Sequence, residues 1–371
     1  MMDFYDIVIA GCGLSGATSA RLLAEQGYKV LVIEQKKHVG GQIYDYKNEH
    51  GISVHQYGPH IFHTKLKPVW DFVNRFSEFS NFQHRVLSFV DGNFIPFPIN
   101  RQTLNQLFGE NLTTEDVPVF LQKEVQRSEY NPALISFRDA VVSQVGERLY
   151  ALFFEKYTEK QWNCDPNSLS SELAGRIPVR NNNDCRYFSD KYQGIPVNGY
   201  TEMINKMLEH GNIHVLLGCD YENIKSQLSA KLLIYTGELD RFFNYRFGKL
   251  SYRSVKIAFK TYEQELFQPA PVVNYPNDYD YTRITEFKQM TREKSTKTTV
   301  CYEYPSDDGL PFYTVPNKEN QHLREQYMQE VQQLEMTGKY LFIGRLAEYK
   351  YYNMDVAIES AIKRVAQWLK H

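Results

Sequence analysis

The chain has 371 residues, a formal net charge of −2, 23 % charged residues and five cysteines without C-x-x-C spacing. This mixed, near-neutral charge argues against a nucleic-acid partner, and no apolar run approaches the ~20 residues that insert across a bilayer. The scattered cysteines and a start of the chain unlike a signal peptide favour a cytoplasmic protein with reduced thiols and neither zinc nor disulfides.

The first forty residues predict a dinucleotide-binding unit. An apolar run of strand length ends in a G-x-G-x-x-G turn, a helical Ala/Leu segment follows, and a second apolar run closes on Glu34. Gly11 would permit the tight turn, Gly13 the approach of a pyrophosphate, and Gly16 the close packing of helix and strand. Glu34 would accept hydrogen bonds from the ribose hydroxyls. A purely structural glycine turn is the alternative, but it does not explain the ordered context.

Two glycines after the acid point to the kind of dinucleotide. Gly40 and Gly41 suggest a second close backbone approach to the adenosine half of the ligand. An acid followed by paired glycines resembles the FAD-binding half of flavoproteins of the glutathione-reductase and amine-oxidase type. That resemblance implies FAD as the cofactor. In flavoproteins of this build, a last strand, turn and helix return to the flavin. The last helix of this chain, which would begin near Met354, is therefore expected to start close to the pyrophosphate.

Residues 51–64 contain two histidines three residues apart, His60 and His63. No carboxylate or cysteine stands near them at ligand spacing, so we expect no metal. One interpretation is a polar loop over a flavin face, with His60 in the cofactor site. The other is a pair of histidines hydrogen-bonded inside a buried loop.

The middle of the chain changes character twice. Residues 86–99 alternate and carry Asp91-Gly92, which indicates a hairpin. Residues 102–160 carry apolar positions at helical spacing broken by prolines, which predicts several short helices. Alternation at 256–260 and 298–304 indicates an antiparallel layer, and residues 319–336 indicate a polar helix.

The predicted fold is α/β, a Rossmann-type FAD-binding domain with a helical insertion and an antiparallel β-sheet layer. The chain is long for one core, so more than one subdomain is expected. The FAD-binding domain is assigned to 1–80, 190–238 and 335–371, the insertion to 100–165, and the antiparallel substrate domain to 81–99, 166–189 and 239–334.

Several blocks in chain order closely resemble the bacterial UDP-galactopyranose mutase family, FAD enzymes that contract a nucleotide-bound galactose from pyranose to furanose. The blocks are Gly11–Gly16, Gly40-Gly41, Tyr57-Gly-Pro-His60-Ile-Phe-His63-Thr, Tyr157-Thr-Glu-Lys-Gln-Trp162, Arg176-Ile-Pro-Val, Tyr187-Phe-Ser-Asp, Gln193-Gly-Ile-Pro, Tyr281-Thr-Arg283 and Gly344-Arg345-Leu-Ala-Glu-Tyr-Lys-Tyr-Tyr. The resemblance implies an isomerase in which N5 of reduced flavin attacks the anomeric carbon and the diphosphate leaves and returns. It also implies FADH2 as the active form, an external reductant such as NAD(P)H, and a homodimer.

The resemblance also assigns roles to particular residues. Arg176 and Arg283 would clamp the diphosphate, since guanidinium forks pair with phosphate oxygens in bidentate fashion. His63 would lie beside the flavin and the sugar ring, and Arg345 would reach the flavin. The remaining substrate-binding residues implied are His84, Tyr157, Trp162, Tyr187, Tyr313, Tyr351 and Asn353.

The chain departs from the family pattern at the sugar side. Asn353 replaces the usual Asp, His84 stands where Asn is common, and Pro59 where Ala is commoner. UDP-galactose is therefore the first expected substrate, with UDP-GalNAc, dTDP-fucose or a GDP-sugar as alternatives. A flavin oxidoreductase of the amine-oxidase type and a non-catalytic nucleotide-sugar sensor are the other functional alternatives.

Overall fold

In the computed structural model, residues 5–176 and 178–370 are described, the side chain of Arg176 excepted. The elements of the first half are β1 (Ile7–Ala10), α1 (Leu14–Glu25), β2 (Val30–Glu34), β3 (Asp45–Lys47), β4 (Ser53–His55), β5 (Phe62–Thr64), α2 (Lys67–Asn74), β6 (Val86–Val90), β7 (Asn93–Phe97), α3 (Arg101–Phe108), α4 (Asp116–Gln126), α5 (Phe137–Val145), α6 (Glu147–Phe153) and α7 (Glu155–Trp162). The second half contains β8 (Tyr192–Gly194), α8 (Tyr200–Leu208), β9 (Ile213–Leu217), α9 (Tyr221–Ile224), β10 (Leu232–Tyr235), α10 (Leu239–Phe242), β11 (Tyr252–Tyr262), β12 (Val272–Asn274), β13 (Arg283–Glu286), α11 (Phe287–Thr291), β14 (Thr298–Ser306), β15 (Tyr313–Thr314), α12 (Lys318–Glu335), β16 (Tyr340–Phe342) and α13 (Met354–Trp368).

A parallel sheet of five strands, in the order β16-β10-β1-β2-β9, forms the first layer. Strand β1 is the central strand, and its four residues are buried. Helix α1 packs against α13 and α8 on this sheet. A Cβ on Gly16 would lie 2.0 Å from the carbonyl oxygen of Gly11, so only glycine lets the helix approach the turn this closely. The predicted Rossmann-type unit is confirmed.

The parallel sheet draws its strands from three distant parts of the chain. These parts fall within 1–80, 190–238 and 335–371, which are the segments assigned to the FAD-binding domain. Ligands of such sheets bind beyond the carboxyl ends of the strands, where the β1–α1 turn lies. The exact domain boundaries stay predictions.

A mixed sheet of seven strands, in the order β15-β11-β14-β13-β12-β6-β7, forms the second layer. Its neighbours are antiparallel except for β6 and β12, which run parallel. The β6–β7 hairpin turns at Asp91 and Gly92 with φ of 50° and 77°. Two successive positive φ angles match the twist of a two-residue hairpin, as the sequence predicts.

Short helices α3 to α7 form the insertion, in agreement with the expected break-up of residues 102–160. Their apolar faces share one core with β6 and β7, and its buried members include Val142, Leu149 and Tyr150. Pro118 does not interrupt α4, because it falls in the first turn, where its missing N–H has no helical partner to lose. None of the helices in the described ranges is long and apolar enough to cross a membrane.

Candidate active site

A cavity opens at the carboxyl ends of the parallel strands, and the glycine turns form its floor. Gly11, Gly13, Gly40 and Gly41 line it together with Glu34. Gly16 is placed beneath the turn instead of in the cavity wall. The five lining positions are those that the sequence predicts for a dinucleotide.

The two glycine turns approach each other so closely that side chains would fill the space between them. A Cβ on Gly41 would lie 3.0 Å from the Cα of Gly13. The helix α1 begins directly after Gly13, and its unpaired N–H groups and positive dipole end favour an anion there. This cradle of bare backbone fits the pyrophosphate of a dinucleotide.

The Glu34 carboxylate is fixed in the cavity wall by two backbone donors. Cys12 N–H donates to Oε2 at 2.8 Å and Lys36 N–H donates to Oε1 at 2.9 Å. A carboxylate oxygen accepts more than one hydrogen bond, so both oxygens can still accept from hydroxyl groups. The arrangement suits the predicted contact to a ribose.

A second cavity lies where the insertion meets the seven-stranded sheet. Four residues line both cavities, namely His60, Arg345, Asn353 and Met354. Met354 begins helix α13, and Asn353 precedes it. Because the cavities adjoin, the part of a ligand in the first cavity that reaches these four residues would face a ligand bound in the second cavity.

Arg283 supplies a cation to the second cavity, and its counterion lies behind it. The Nε of Arg283 is 3.1 Å from Oε2 of Glu303, and the two side chains are 26 % and 4 % exposed. Burial raises the pKa of Glu303, and the Arg283 cation acts in the opposite direction. Burial also acts to lower the pKa of Arg283, but the neighbouring groups, Glu303 first among them, raise it above its usual value. Arg283 therefore stays charged and is presented toward the cavity. An anionic ligand is the matching partner.

Aromatic side chains enclose the rest of the second cavity. Trp162 packs edge-on against Tyr351, with ring centroids 6.0 Å apart, and Tyr313 lies 5.6 Å from Tyr351. The guanidinium carbon of Arg345 lies 5.2 Å from the Tyr351 ring and 5.6 Å from the Tyr313 ring. Tyr157 and Tyr187 also line this cavity. Burial raises the pKa of Tyr157 and Tyr313, so both phenols remain hydrogen-bond donors.

His63 is held in one orientation. Its Nδ1 is 2.5 Å from Oδ2 of Asp190, and its ring stacks on Phe188 with centroids 3.6 Å apart. All three residues line the second cavity. The carboxylate fixes the ring and favours a proton on Nδ1, because it only accepts hydrogen bonds.

His60 and His84 are neutral in the fold. Burial lowers the pKa of each to about 3, with His55 adding to the effect at His60 and Arg283 at His84. Nδ1 of His60 lies 2.9 Å from the carbonyl oxygen of Gly58, so Nδ1 carries the proton and Nε2 is an acceptor. Nδ1 of His84 is buried and has no hydrogen-bond partner within the described residues.

The structure brings the predicted residues together around two adjoining cavities, with two qualifications. Gly16 lies below the first cavity, as above. The side chain of Arg176 lies outside the described residues, and its backbone ends a short 3₁₀ helix at Ser171–Arg176. Among the residues described, no cluster of three His, Cys, Asp or Glu side chains could hold a metal ion.

Sequence reasoning missed three members of the site, Glu303, Asp190 and Phe188. Glu303 is buried on one face of β14, and its neighbours Tyr302 and Tyr304 are half-buried on the other face. An acid on the buried side of an alternating strand was the available signal. Asp190 and Phe188 lie in the block Tyr187-Phe-Ser-Asp, which resembles the family, but nothing in the sequence pairs them with His63.

Comparisons with known proteins show the family to which the chain belongs. The family model described as UDP-galactopyranose mutase matches residues 152–351, and the NAD(P)-binding Rossmann-like domain model matches residues 9–76. The chain is 36 % identical to the probable UDP-galactopyranose mutase of Klebsiella pneumoniae, over 99 % of this chain and 96 % of that one. It is 35 % identical to the dTDP-fucopyranose mutase of Escherichia coli, over 98 % of each chain.

A solved structure of reduced UDP-galactopyranose mutase has the same fold. It superposes with a TM-score of 0.77 at 17 % identity and covers 99 % of this chain and 96 % of that one. The family match covers more than half of the chain, and the relatives matched over nearly their full length are 31–36 % identical. The chain therefore belongs to the UDP-galactopyranose mutase family of isomerases.

Proposed function

We propose that this protein interconverts the pyranose and furanose forms of a nucleotide-sugar, with UDP-galactopyranose and UDP-galactofuranose as the first expected pair. The supporting observation is the junction of the two cavities. A dinucleotide cradle adjoins a cavity with a cation and an aromatic wall, and His60, Arg345, Asn353 and Met354 border both. Membership of the mutase family is the second support.

The first cavity would hold FAD. Gly13, Gly40 and Gly41 would contact the pyrophosphate, Glu34 the ribose, and the start of α13 at Met354 the inner part of the cofactor. When bound and reduced, FAD supplies a nucleophile for the anomeric carbon, so FADH2 is the active form and an external reductant such as NAD(P)H is required.

The second cavity would bind the nucleotide diphosphate. Arg283 is a partly buried, preoriented cation, and such a group stabilises charge that grows on a departing diphosphate more than charge already solvated in water. Arg176 is proposed as the second cation on the basis of the family resemblance. Tyr313 and Tyr351 would donate hydrogen bonds, and Trp162 would help to exclude water.

Proton movements in the reaction need weak rather than strong bases. His60 offers a neutral Nε2 acceptor at the junction of the cavities. His63 is held by Asp190, and it could pass a proton while the carboxylate stabilises the charged ring. His84 is neutral and could hydrogen-bond a sugar hydroxyl.

A second substrate has a specific observation in its favour. Identity to the dTDP-fucopyranose mutase of Escherichia coli is 35 %, nearly equal to the 36 % found for the Klebsiella protein. Around His84 the cavity wall is aromatic, with Tyr187 at 5.4 Å and Phe188 at 5.9 Å between ring centroids. An apolar wall would tolerate a deoxysugar methyl group, so dTDP-fucopyranose is the alternative substrate. We further expect a cytoplasmic homodimer that serves cell-surface polysaccharide synthesis.

The decisive experiment incubates dithionite-reduced protein with UDP-galactose, UDP-GalNAc, dTDP-fucose and GDP-sugars and separates the products by chromatography. We expect a furanose product from one of them, in large excess over the reductant supplied, and none from oxidised protein. Arg283→Ala should lower kcat/KM by an amount that corresponds to about 2–4 kcal/mol of lost transition-state stabilisation. Arg246 is a half-exposed surface arginine, and Arg246→Ala should have no effect.

The outcomes separate the alternatives. Stoichiometric reductant or oxidant consumption with an amine or alcohol would indicate a net oxidoreductase. Ligand binding without any product under reducing conditions would indicate a sensor. Turnover at the full rate by oxidised protein would contradict the role given to FADH2.

A further inference from the structure

Lys160 lies on helix α7, one turn after Tyr157, and its ammonium group is enclosed by a loop of the seven-stranded sheet. Nζ lies 2.6 Å from the carbonyl oxygen of Tyr275, 2.8 Å from that of Tyr279 and 3.3 Å from that of Tyr281. An ammonium has three N–H donors, so the three carbonyls match its full donor set.

These three carbonyls belong to the loop 275–282, which connects β12 to β13 and ends one residue before Arg283. The loop closes on itself through Tyr275 N–H, which donates to the carbonyl oxygen of Thr282 at 2.8 Å. Asn277 Nδ2 ties it to the insertion a second time, by donating to the carbonyl oxygen of Leu152 at 3.1 Å. Arg283 follows this loop directly and is paired in the sheet with Asn274 and Glu303. The loop therefore docks on the insertion next to the strand end that carries Arg283.

Helix α7 is held from the sheet side as well. Arg253, which is 3 % exposed, donates from Nε to the carbonyl oxygen of Gln161 at 2.9 Å and from a terminal nitrogen to that of Lys160 at 3.2 Å. Tyr157 on the same helix shares a side-chain hydrogen bond with Thr282. The α7 helix, which carries Tyr157, and the 275–282 loop, which leads into Arg283, are thus joined, and both Tyr157 and Arg283 line the same cavity.

We propose that Lys160 is a positioning residue that holds the 275–282 loop against α7 and thereby sets how Tyr157 and Arg283 meet a nucleotide diphosphate. This inference rests on the proposed function, because it assumes that the second cavity binds that diphosphate. Lys160 itself does not line the cavity. Its loss should weaken nucleotide binding and leave the cofactor site unchanged.

Protonation gives the inference a distinctive signature. Burial lowers the pKa of Lys160 to about 8, against the opposing effect of Asp280 and Asp278 on the loop, while Lys156 on its own helix adds to the lowering. On the sheet side, the charged group in contact with Lys160 is Arg253, which donates to its carbonyl oxygen. Above pH 8 the amine loses its charge and one donor, so the three carbonyls are no longer all bound. Between about pH 8 and pH 10 the unfolded chain still binds this proton, whereas the folded protein does not. The free energy of unfolding therefore rises with pH across this interval, so the titration does not lower the folding stability.

The test measures binding of UDP, or of dTDP if the wild type does not bind UDP, to the oxidised, FAD-loaded full-length protein by calorimetry from pH 6.5 to 9.5. The wild-type Kd should rise through about pH 8. Lys160→Met should raise Kd about tenfold at pH 7, equal to about 1.4 kcal/mol, and remove the rise near pH 8. Lys160→Arg, which keeps its charge, should bind near the wild-type level and also lack that rise. Lys123→Met, an exposed lysine in the same insertion, is the matched control.

Flavin content and the far-ultraviolet circular dichroism spectrum should be unchanged in the Lys160 variants at pH 7, which separates positioning from misfolding. Titration of the uracil ring is common to all variants and cancels in the comparison. Equal Kd values for Lys160→Met and wild type, or identical pH profiles for the two, would overturn the inference alone. A wild-type protein that binds neither UDP nor dTDP would overturn the proposed function and the inference with it.

Discussion

Removing the carboxylate behind Arg283 is the most informative single perturbation of the site. In Glu303→Gln the shape is kept, but the cation 3.1 Å away loses its counterion in a buried setting. Breaking a buried pair costs about 3–5 kcal/mol, because one charge is left uncompensated. Arg283 is 26 % exposed, so the lower end, about 3 kcal/mol, is expected.

Thermal unfolding followed by circular dichroism measures this loss. At about 2.1 cal/mol/K of unfolding entropy per residue, a loss of 3 kcal/mol in a chain of this length lowers Tm by about 4 °C. UDP should then stabilise the variant more than the wild type, because its diphosphate replaces the missing negative charge. At a UDP concentration of 100 times the wild-type Kd, the wild type gains about 2.7 kcal/mol, and a tenfold tighter variant gains about 1.4 kcal/mol more.

Glu263→Gln is the matched control, because Glu263 pairs with Lys297 at 2.7 Å but is 78 % exposed. Exposed pairs contribute less than about 1 kcal/mol, so its Tm should barely change. An unchanged Tm in Glu303→Gln, or an equal response of both proteins to UDP, would refute the argument that Glu303 serves as the resting counterion of Arg283.

Three further changes test the rest of the site. Gly13→Val should weaken FAD binding at least tenfold, because its side chain would enter the cradle beside Gly41; a variant that purifies yellow with full flavin absorbance would contradict this. Burial lowers the pKa of His55 to about 4 and of two further histidines to about 3, so the unfolded chain binds up to three more protons as pH falls below about 6.5. Urea unfolding should therefore show stability falling by at most ~4 kcal/mol per pH unit between pH 6 and 4, and equal stability at pH 7 and 5 would argue against buried neutral histidines. Asp190→Asn should lower kcat about tenfold at constant flavin content, since His63 loses the carboxylate that orients it, and an unchanged kcat would exclude that role.

Most of the fold could be predicted from local sequence patterns. The β1–α1–β2 unit, the hairpin at Asp91-Gly92 and the helix at 318–335 were all predictable, because each depends on periodicity or on turn residues close in sequence. The order of the parallel sheet was not predictable from such patterns. Strand β10 pairs with β1 across more than two hundred residues, and no local feature of Leu232–Tyr235 specifies that neighbour.

The candidate site divides in the same way. Residues within motifs, such as Gly13 and Trp162, could be named from the sequence and do line the cavities. Residues that act on another residue could not, because Glu303 and Lys160 reach their partners through tertiary packing alone. The roles of the named residues remain predictions until they are tested by substitution.

The placement of the last strand and helix has a consequence for biosynthesis. Strand β16 forms an edge of the parallel sheet, and α13 packs on α1 and supplies Met354 to the junction of the cavities. While the chain is still on the ribosome, the glycine turn has emerged but the wall opposite it has not been synthesised. A nascent or prematurely terminated chain therefore exposes an apolar sheet edge and an open cradle. We therefore expect flavin capture to require synthesis of β16 and α13, so that a chain truncated before residue 340 should not load the cofactor.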